Sequence, residues 1–259
     1  MFWSRQRPPM LDPVTAYDRL APVYARVADE RRAYLDAVDR VIVAEVPPGS
    51  RSLLDVGAAD GARAFRIARA TGVQDLVLLE PSAAMRSHYP AEATVWPMRA
   101  EDLHSRQGRF DVITCLWNVL GHVFPATARG EVLRQFARLA APAGRVFIDV
   151  SHRYNARHYG AAATALRFLR DRVAPGERNG DVTATWNADG GPCATSGHVF
   201  TQAEFARLAR HAGLTIEKRF VIDYASGQVR RRSWEGNLLY VLRPAAASTG
   251  SSLDQEFLS

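Results

Sequence analysis

The chain has only two cysteines in 259 residues, a single lysine, and no uninterrupted apolar run of the roughly 18 to 20 residues that a membrane span needs. Each shortage removes a class of protein. Cys115 lies in an apolar run and Cys193 in a Gly/Pro-rich stretch, a spacing that fits neither a disulfide framework nor a zinc site. Free thiols and no metal are therefore expected. The start, "MFWSRQRPPM", lacks a secretory apolar core with a small-residue cleavage site, so a cytoplasmic protein with no membrane partner is expected. The formal charge of +6 rests on arginines scattered along the chain, Lys218 being the one exception, and a nucleic-acid partner is not expected from it. The dense basic run "QVRRRSW" (228–234) is read as a solvated hairpin, with an anion site as the alternative.

What is present is apolar sequence in a regular rhythm. At 47% apolar residues the chain can build a sizeable core, as one large α/β domain or two small ones. Helical spacing in "VTAYDRLAPVYARV" and "YLDAVDRVIVAEV" ends at the breaker "PPGS". Apolar runs and helical patterns then alternate. Strands are expected at 52–57, 75–80, 93–96, 109–117 and 144–150, and helices over 62–70, "SAAMRSHY", "EDLHS" and 126–140. This is the alternation of a parallel sheet covered on both faces.

After Val150 the rhythm breaks. Residues 151–198 hold a basic helical piece, "ATALRFLRDRV", and a hairpin around "DGG". Thr201 with Glu204 forms a capping box that opens "QAEFARLARHAG", and Gly213 stands at its C-terminus. Two last strands, 215–224 and 235–243, have no helix between them and so should pair antiparallel. No internal repeat is visible. The expected division is lid helices in 1–48, an α/β core in 49–150, a substrate-side insert or lid in 151–200, the rest of the core in 201–244, and a disordered tail in 245–259.

The first strand ends in "LLDVGAADGARA" (53–64). A dinucleotide fold would need G-x-G-x-x-G there, and Gly57-Ala58-Ala59-Asp60-Gly61 fails that spacing. The turn still suits a ligand: Gly57 takes backbone conformations barred to other residues, Ala58 and Ala59 are small, and the next helix offers free N–H groups to a phosphate or carboxylate. Glu80 ends the second strand, where a carboxylate can accept bonds from both hydroxyls of a ribose. Alone, such a turn is as often structural as functional and an acid at a strand end is more often solvated than functional; their order in one unit is far more specific.

With these residues in place the sequence resembles the class I S-adenosylmethionine-dependent methyltransferases. "LLDVGAADG" is similar to their first motif through Asp55, Gly57, Ala59 and Gly61, and "LVLLEPSAAM" to the second, with Glu80 for the ribose, Met85 near the adenine and Pro81 also at the cofactor. "MRAEDLH" resembles the adenine-edge motif, which implies Ala100 with Glu101 or Asp102, and "RFDVITCLWNVLGHV" resembles the fourth strand beside the transferred methyl, with Leu116 and Trp117 against the cofactor. The resemblance implies a Rossmann-like, doubly wound, seven-stranded α/β sheet, mostly parallel with an antiparallel last strand. It also implies S-adenosylmethionine as cofactor and S-adenosylhomocysteine as product. Two positions depart from the pattern: Ala59 replaces a usual glycine, and Arg99 stands where many relatives carry an aspartate for the adenine amino group.

Methyl transfer from a sulfonium needs alignment, exclusion of water and removal of a proton, without metal or covalent intermediate. The stretch "CLWNVLGHV" resembles small-molecule methyltransferases, amino-sugar N-methyltransferases included, that place a histidine here; His122 is the candidate base and Asn118 the candidate acceptor-orienting residue. The bland alternative for His122 is a helix-start histidine satisfied by backbone. "AYDRLAPVYARV" resembles the family's lid helix, which implies Tyr17 over the cofactor and Tyr24 toward the substrate; tyrosines seven apart share a helical face, and core packing explains such a pair equally well. "SHRYNARHYG" supplies His152, Tyr154 and Asn155 as a substrate wall. The resulting expectation is methylation of a nitrogen or oxygen on a small-molecule acceptor. A nucleic-acid methyltransferase and a non-catalytic S-adenosylmethionine-binding protein are the alternatives.

Overall fold

A computed structural model describes residues 8–188 and 191–245. The chain enters through a two-residue strand, β1 (Met10–Leu11), and three helices, α1 (Pro13–Leu20), α2 (Tyr24–Asp29) and α3 (Arg32–Glu45). Asp12 caps α1 by accepting from the Thr15 amide at 3.2 Å, and Pro13 occupies the first turn, where its missing N–H costs nothing. Pro22 then tightens the chain into a 3-10 turn (Ala21–Val23), so the first expected helix is split in two.

The strand–helix alternation follows as β2 (Ser52–Val56), α4 (Ala62–Thr71), β3 (Asp75–Leu79), α5 (Ala83–Arg86), β4 (Thr94–Trp96), β5 (Phe110–Cys115), α6 (Ala126–Leu139) and β6 (Ala140–Val150). These strands are parallel to one another, in the order β6-β5-β2-β3-β4. The central runs are apolar without alternation because both faces are covered: Leu53 packs toward α3 and α4, and Leu54 toward the layer holding α6.

Beyond β6 come α7 (Ala156–Tyr159), α8 (Ala161–Val173), β7 (Asp181–Ala188), β8 (Gly191–His198), α9 (Gln202–His211), β9 (Leu214–Ile222), β10 (Val229–Arg230) and β11 (Asn237–Pro244). The Thr201–Glu204 capping box opens α9, and Gly213, at φ +75°, follows its end. β11 inserts antiparallel between β6 and β9, which completes seven strands with the antiparallel last strand that was expected. An eighth strand was not expected: Val229 and Arg230 of the basic run pair with Ile222 and Val221 as an edge.

A second sheet, β1-β8-β7, was also missed. β7 and β8 form the expected hairpin around residues 189–190, and β1 adds to it in parallel, Met10 opposite Ala194. The insert is thereby tied to the segment leading into α1. The expected tail, from residue 246 onward, lies outside the described residues.

Candidate active site

Strand order reverses at β2, which has β5 on one side and β3 on the other. A crevice opens at the carboxyl ends of strands at such a switch point. The turn from β2 into α4 lines it. Gly57 has φ +75°, and a Cβ there would lie 2.6 Å from both γ-carbons of Val119, so glycine is required for backbone conformation and for space. Ala59 sits at φ 49°, a left-handed conformation uncommon for alanine. Two bonds hold it: its amide donates to Glu80 Oε2 at 2.9 Å, and its carbonyl accepts from the Tyr89 hydroxyl at 2.7 Å.

Glu80 is buried, and its other oxygen accepts from the Ser82 amide at 2.8 Å. Burial pushes its carboxyl up to about 7, against the lowering effect of these two backbone donors. Each oxygen spends one lone pair on the protein, which leaves the others for a pair of hydroxyls. Asp55, at the end of β2, is buried and accepts from the Thr114 hydroxyl at 2.6 Å; burial raises it to about 6.

The chain leaves β5 through Trp117 (φ 53°) and Asn118 (φ 64°), which with Ala59 are the non-glycine residues of positive φ among those described. Ala59 and Trp117 line one cleft, while Asn118, expected to orient the acceptor, lines neither cleft; such strained backbone is typical of functional sites. Asp149, at the end of β6, holds the strained pair: Oδ2 accepts from the Trp117 amide at 3.0 Å, its carbonyl from the Asn118 amide at 3.0 Å, and Oδ1 from the Tyr34 hydroxyl at 2.5 Å. The Asn118 side chain bridges backbone only, accepting from the Ser151 amide and donating to the His198 carbonyl.

Two adjoining clefts result. The first, about 570 Å³, is lined by Tyr17, Gly57, Glu80, Pro81, Ala100, Glu101 and His122 among others. The second, about 420 Å³, takes Tyr17, Tyr24, Asp55, Ala59, Leu116 and Trp117. Tyr17, Gly57 and Val119 line both.

His122 lies in the first cleft with its Nδ1 2.8 Å from the Ser196 carbonyl. A carbonyl only accepts, so Nδ1 carries the proton and Nε2 keeps a lone pair. Burial lowers the ring's pKa, outweighing the Ser196 bond, and holds the imidazole neutral. Its ring meets Tyr17 at 5.7 Å and Trp186, from β7, at 6.1 Å.

Not every expected residue reaches the clefts. Gly61 (φ +75°) shapes the turn and starts α4, and Met85 is buried with Leu20, Tyr24 and Ala59. Asp102 is exposed and lines neither cleft, whereas Glu101 lines the first. Arg99 pairs with Asp12 at 2.5 Å and thereby fastens the start of α1. The expected substrate wall is a structural layer. His152 is buried, with Nδ1 against the Ser233 carbonyl; the Tyr154 hydroxyl donates to Asp171; the Asn155 side chain donates to Asn237 and accepts from the His158 amide. Their polar atoms satisfy protein partners, as buried polar groups must. Trp186, Ser196 and Arg63 were missed. Ser196 acts through its backbone carbonyl, which no side-chain pattern reveals.

The clefts fit an adenosyl-methionyl ligand. The Gly57 cradle, which a side chain would fill, and the free lone pairs of Glu80 meet the needs of a ribose lying against a strand-end turn. The comparisons agree. The profile of the methyltransferase-domain family matches residues 25–219. The ubiquinone biosynthesis O-methyltransferase of Aeromonas salmonicida (strain A449) is 30% identical over 184 residues, 68% of this chain and 67% of that protein. Among solved structures, the CcbJ methyltransferase from Streptomyces caelestis superimposes with a TM-score of 0.64 at 18% identity, covering 89% of this chain and 98% of that one. The sugar N-methyltransferase KedS8 from Streptoalloteichus sp. does so with a TM-score of 0.56 at 18% identity, over 94% and 98%.

Proposed function

The chain belongs to the methyltransferase family and is a class I S-adenosylmethionine-dependent methyltransferase, and from that premise we propose that it methylates a nitrogen or oxygen of a small-molecule acceptor beside His122. The observation that carries this reading is the placing of a neutral, single-tautomer imidazole in the cleft that also contains Gly57 and Glu80. S-adenosylmethionine supplies a methyl already activated by its sulfonium. The protein's part is to bind, orient and deprotonate. Glu80 takes the ribose hydroxyls, and Glu101 the adenine edge. Leu116 and Trp117 back the methionyl part, and Tyr17 and Trp186 keep water from the reacting centre. His122 Nε2 takes the proton from the acceptor.

Charge pairing supports a small acceptor over a phosphate backbone. Arg63, which lines the second cleft, is neutralised by Asp39 at 2.6 Å, and Arg99, which lines the first, by Asp12. A neutral base serves an amine and a hydroxyl alike. The relative's name points to oxygen, and the KedS8 description to a sugar nitrogen.

The test is turnover of amino sugars and phenols by wild type and His122→Ala across pH. The substitution is expected to lower kcat by about 10²- to 10⁴-fold while S-adenosylhomocysteine still binds. Wild-type kcat should persist below the usual imidazole pKa of 6.5, because burial lowers that of His122. Unchanged turnover in His122→Ala at every pH would remove the base assignment.

A further inference from the structure

Seven large apolar side chains among the described residues are strongly exposed, and six of them fall on two short segments: Leu166, Phe168, Leu169 and Val173 on α8, and Val229 and Trp234 around β10. Single exposed apolar residues need no explanation; a concentration does. The segments adjoin. α7 packs against both α8 and the 3-10 turn Ser233–Glu235. Side chains connect them as well: the Ser233 carbonyl lies 2.9 Å from His152 Nδ1, the His152 ring 5.8 Å from Tyr154, and the Tyr154 ring 5.6 Å from Phe168.

On α8 the apolar positions 166, 169 and 173 recur at helical spacing, so they form one stripe, and none of the helix's residues is buried. Helical geometry places Arg170 on one flank of that stripe and Arg172 on the other. Arg172 lies over the Phe168 ring at 5.5 Å, and Arg232 over the Trp234 ring at 5.5 Å. Arg170, Arg172, Arg231 and Arg232 are exposed and their guanidinium groups form no ion pair among the described residues, Glu235 accepting only from the Arg232 backbone amide, whereas many other arginines of the chain are paired.

We propose that α8 and the β10 loop form a docking face for an anionic lipid surface, with Leu166, Leu169, Val173 and Trp234 entering the acyl boundary and the four arginines meeting the headgroups. The expectation of no membrane partner rested on the lack of a spanning segment; a peripheral contact needs none. The face has the composition of an interfacial element, an apolar stripe flanked by arginine with an aromatic at the edge. A second copy fits poorly, because self-pairing would set the unpaired arginines against one another. A nucleic acid would use the arginines but leave the leucines and valines in water, since aliphatic chains give bases no stacking platform.

The test uses the purified full chain with sedimented vesicles of phosphatidylcholine alone or enriched in phosphatidylglycerol. Binding is expected only to the anionic vesicles and should weaken with salt. L166S/L169S and R170Q/R172Q should each reduce it by about tenfold. Both variants should keep wild-type S-adenosylhomocysteine binding, which reports an intact fold and separates this outcome from any failure of the proposed reaction. Absence of anionic-vesicle binding, or binding unchanged in both variants, would overturn the proposal. So would a dimer that L166S/L169S abolishes without any vesicle binding, or oligonucleotide binding that depends on the arginines and not on the leucines.

Discussion

Glu80 is poised by burial to respond to its ligand. Its raised pKa, about 7, means that near neutral pH a share of the unliganded protein carries a protonated carboxyl that donates one bond where two hydroxyls need acceptors. Ligand binding favours the ionised form. Affinity for S-adenosylhomocysteine should therefore rise up to about tenfold per pH unit below 7 and level off above it, and Glu80→Gln should flatten that profile in calorimetric titrations. For the fold the sign is opposite. A group raised from 4.5 to about 7 contributes stability that is complete below 4.5 and lost as pH rises through 7, so the ligand relieves a burial cost that the unliganded chain bears at neutral pH. At this scale the cleft-lining Gly57 and Glu80 were legible because each is a local feature: a glycine at a turn, an acid at a strand end. His122 was legible as a candidate, but its tautomer is fixed by a carbonyl 74 residues away, and Trp186 reaches the site on a hairpin whose packing no local pattern encodes.

Among elements, α1 supplies Pro13, Val14 and Tyr17 to the first cleft. Asp18 accepts from the Ser82 hydroxyl at 2.6 Å and the Ala84 amide at 3.2 Å, while Asp12 at the other end of the helix pairs with Arg99. The helix is thus fastened to the loops after β3 and β4, both of which contribute residues that line the first cleft. Loss of about 1 kcal/mol of hydrogen bonding in Asp18→Ala should speed release of S-adenosylhomocysteine about fivefold in stopped-flow displacement, with little change in the chemical step. An unaltered release rate would mean that the lid opens elsewhere. The strands and helices of the alternating half were readable from period alone, as was the α9 capping box. The residues taken as a substrate wall were not: His152, Tyr154 and Asn155 are of the right types to face a ligand, yet the Ser233–Glu235 turn, α8 and β11 meet them and bond their polar atoms. Side-chain type cannot show which neighbour arrives.

At the scale of the whole molecule, the hairpin must be seated on the core for the site to exist, since its Ser196 and His198 carbonyls hold His122 and Asn118. A polar cluster, buried at His198, Glu204 and Arg153, seats it. His198 is held between Asp181 and Glu204, at 2.7 Å from each, and Arg153, beyond β6, donates to Glu204 at 2.7 Å and to Asp171 at 3.1 Å. Removing one partner leaves others buried and uncompensated. Glu204→Ala is expected to cost about 3–5 kcal/mol, read as a fall in Tm on the order of 10 °C. None of this cluster was visible in the sequence beyond the capping role of Glu204, because its five members come from α8, β7, β8, α9 and the loop after β6.

The central claim is that the Gly57 turn and Glu80 together bind S-adenosylmethionine. Calorimetric titration of the purified chain with S-adenosylhomocysteine, wild type beside Glu80→Ala at a pH above 7, tests it most directly. The account predicts micromolar binding by wild type, weakened by about 1–3 kcal/mol in the variant. Absence of binding by wild type at several temperatures, or equal binding by the two proteins, would contradict it.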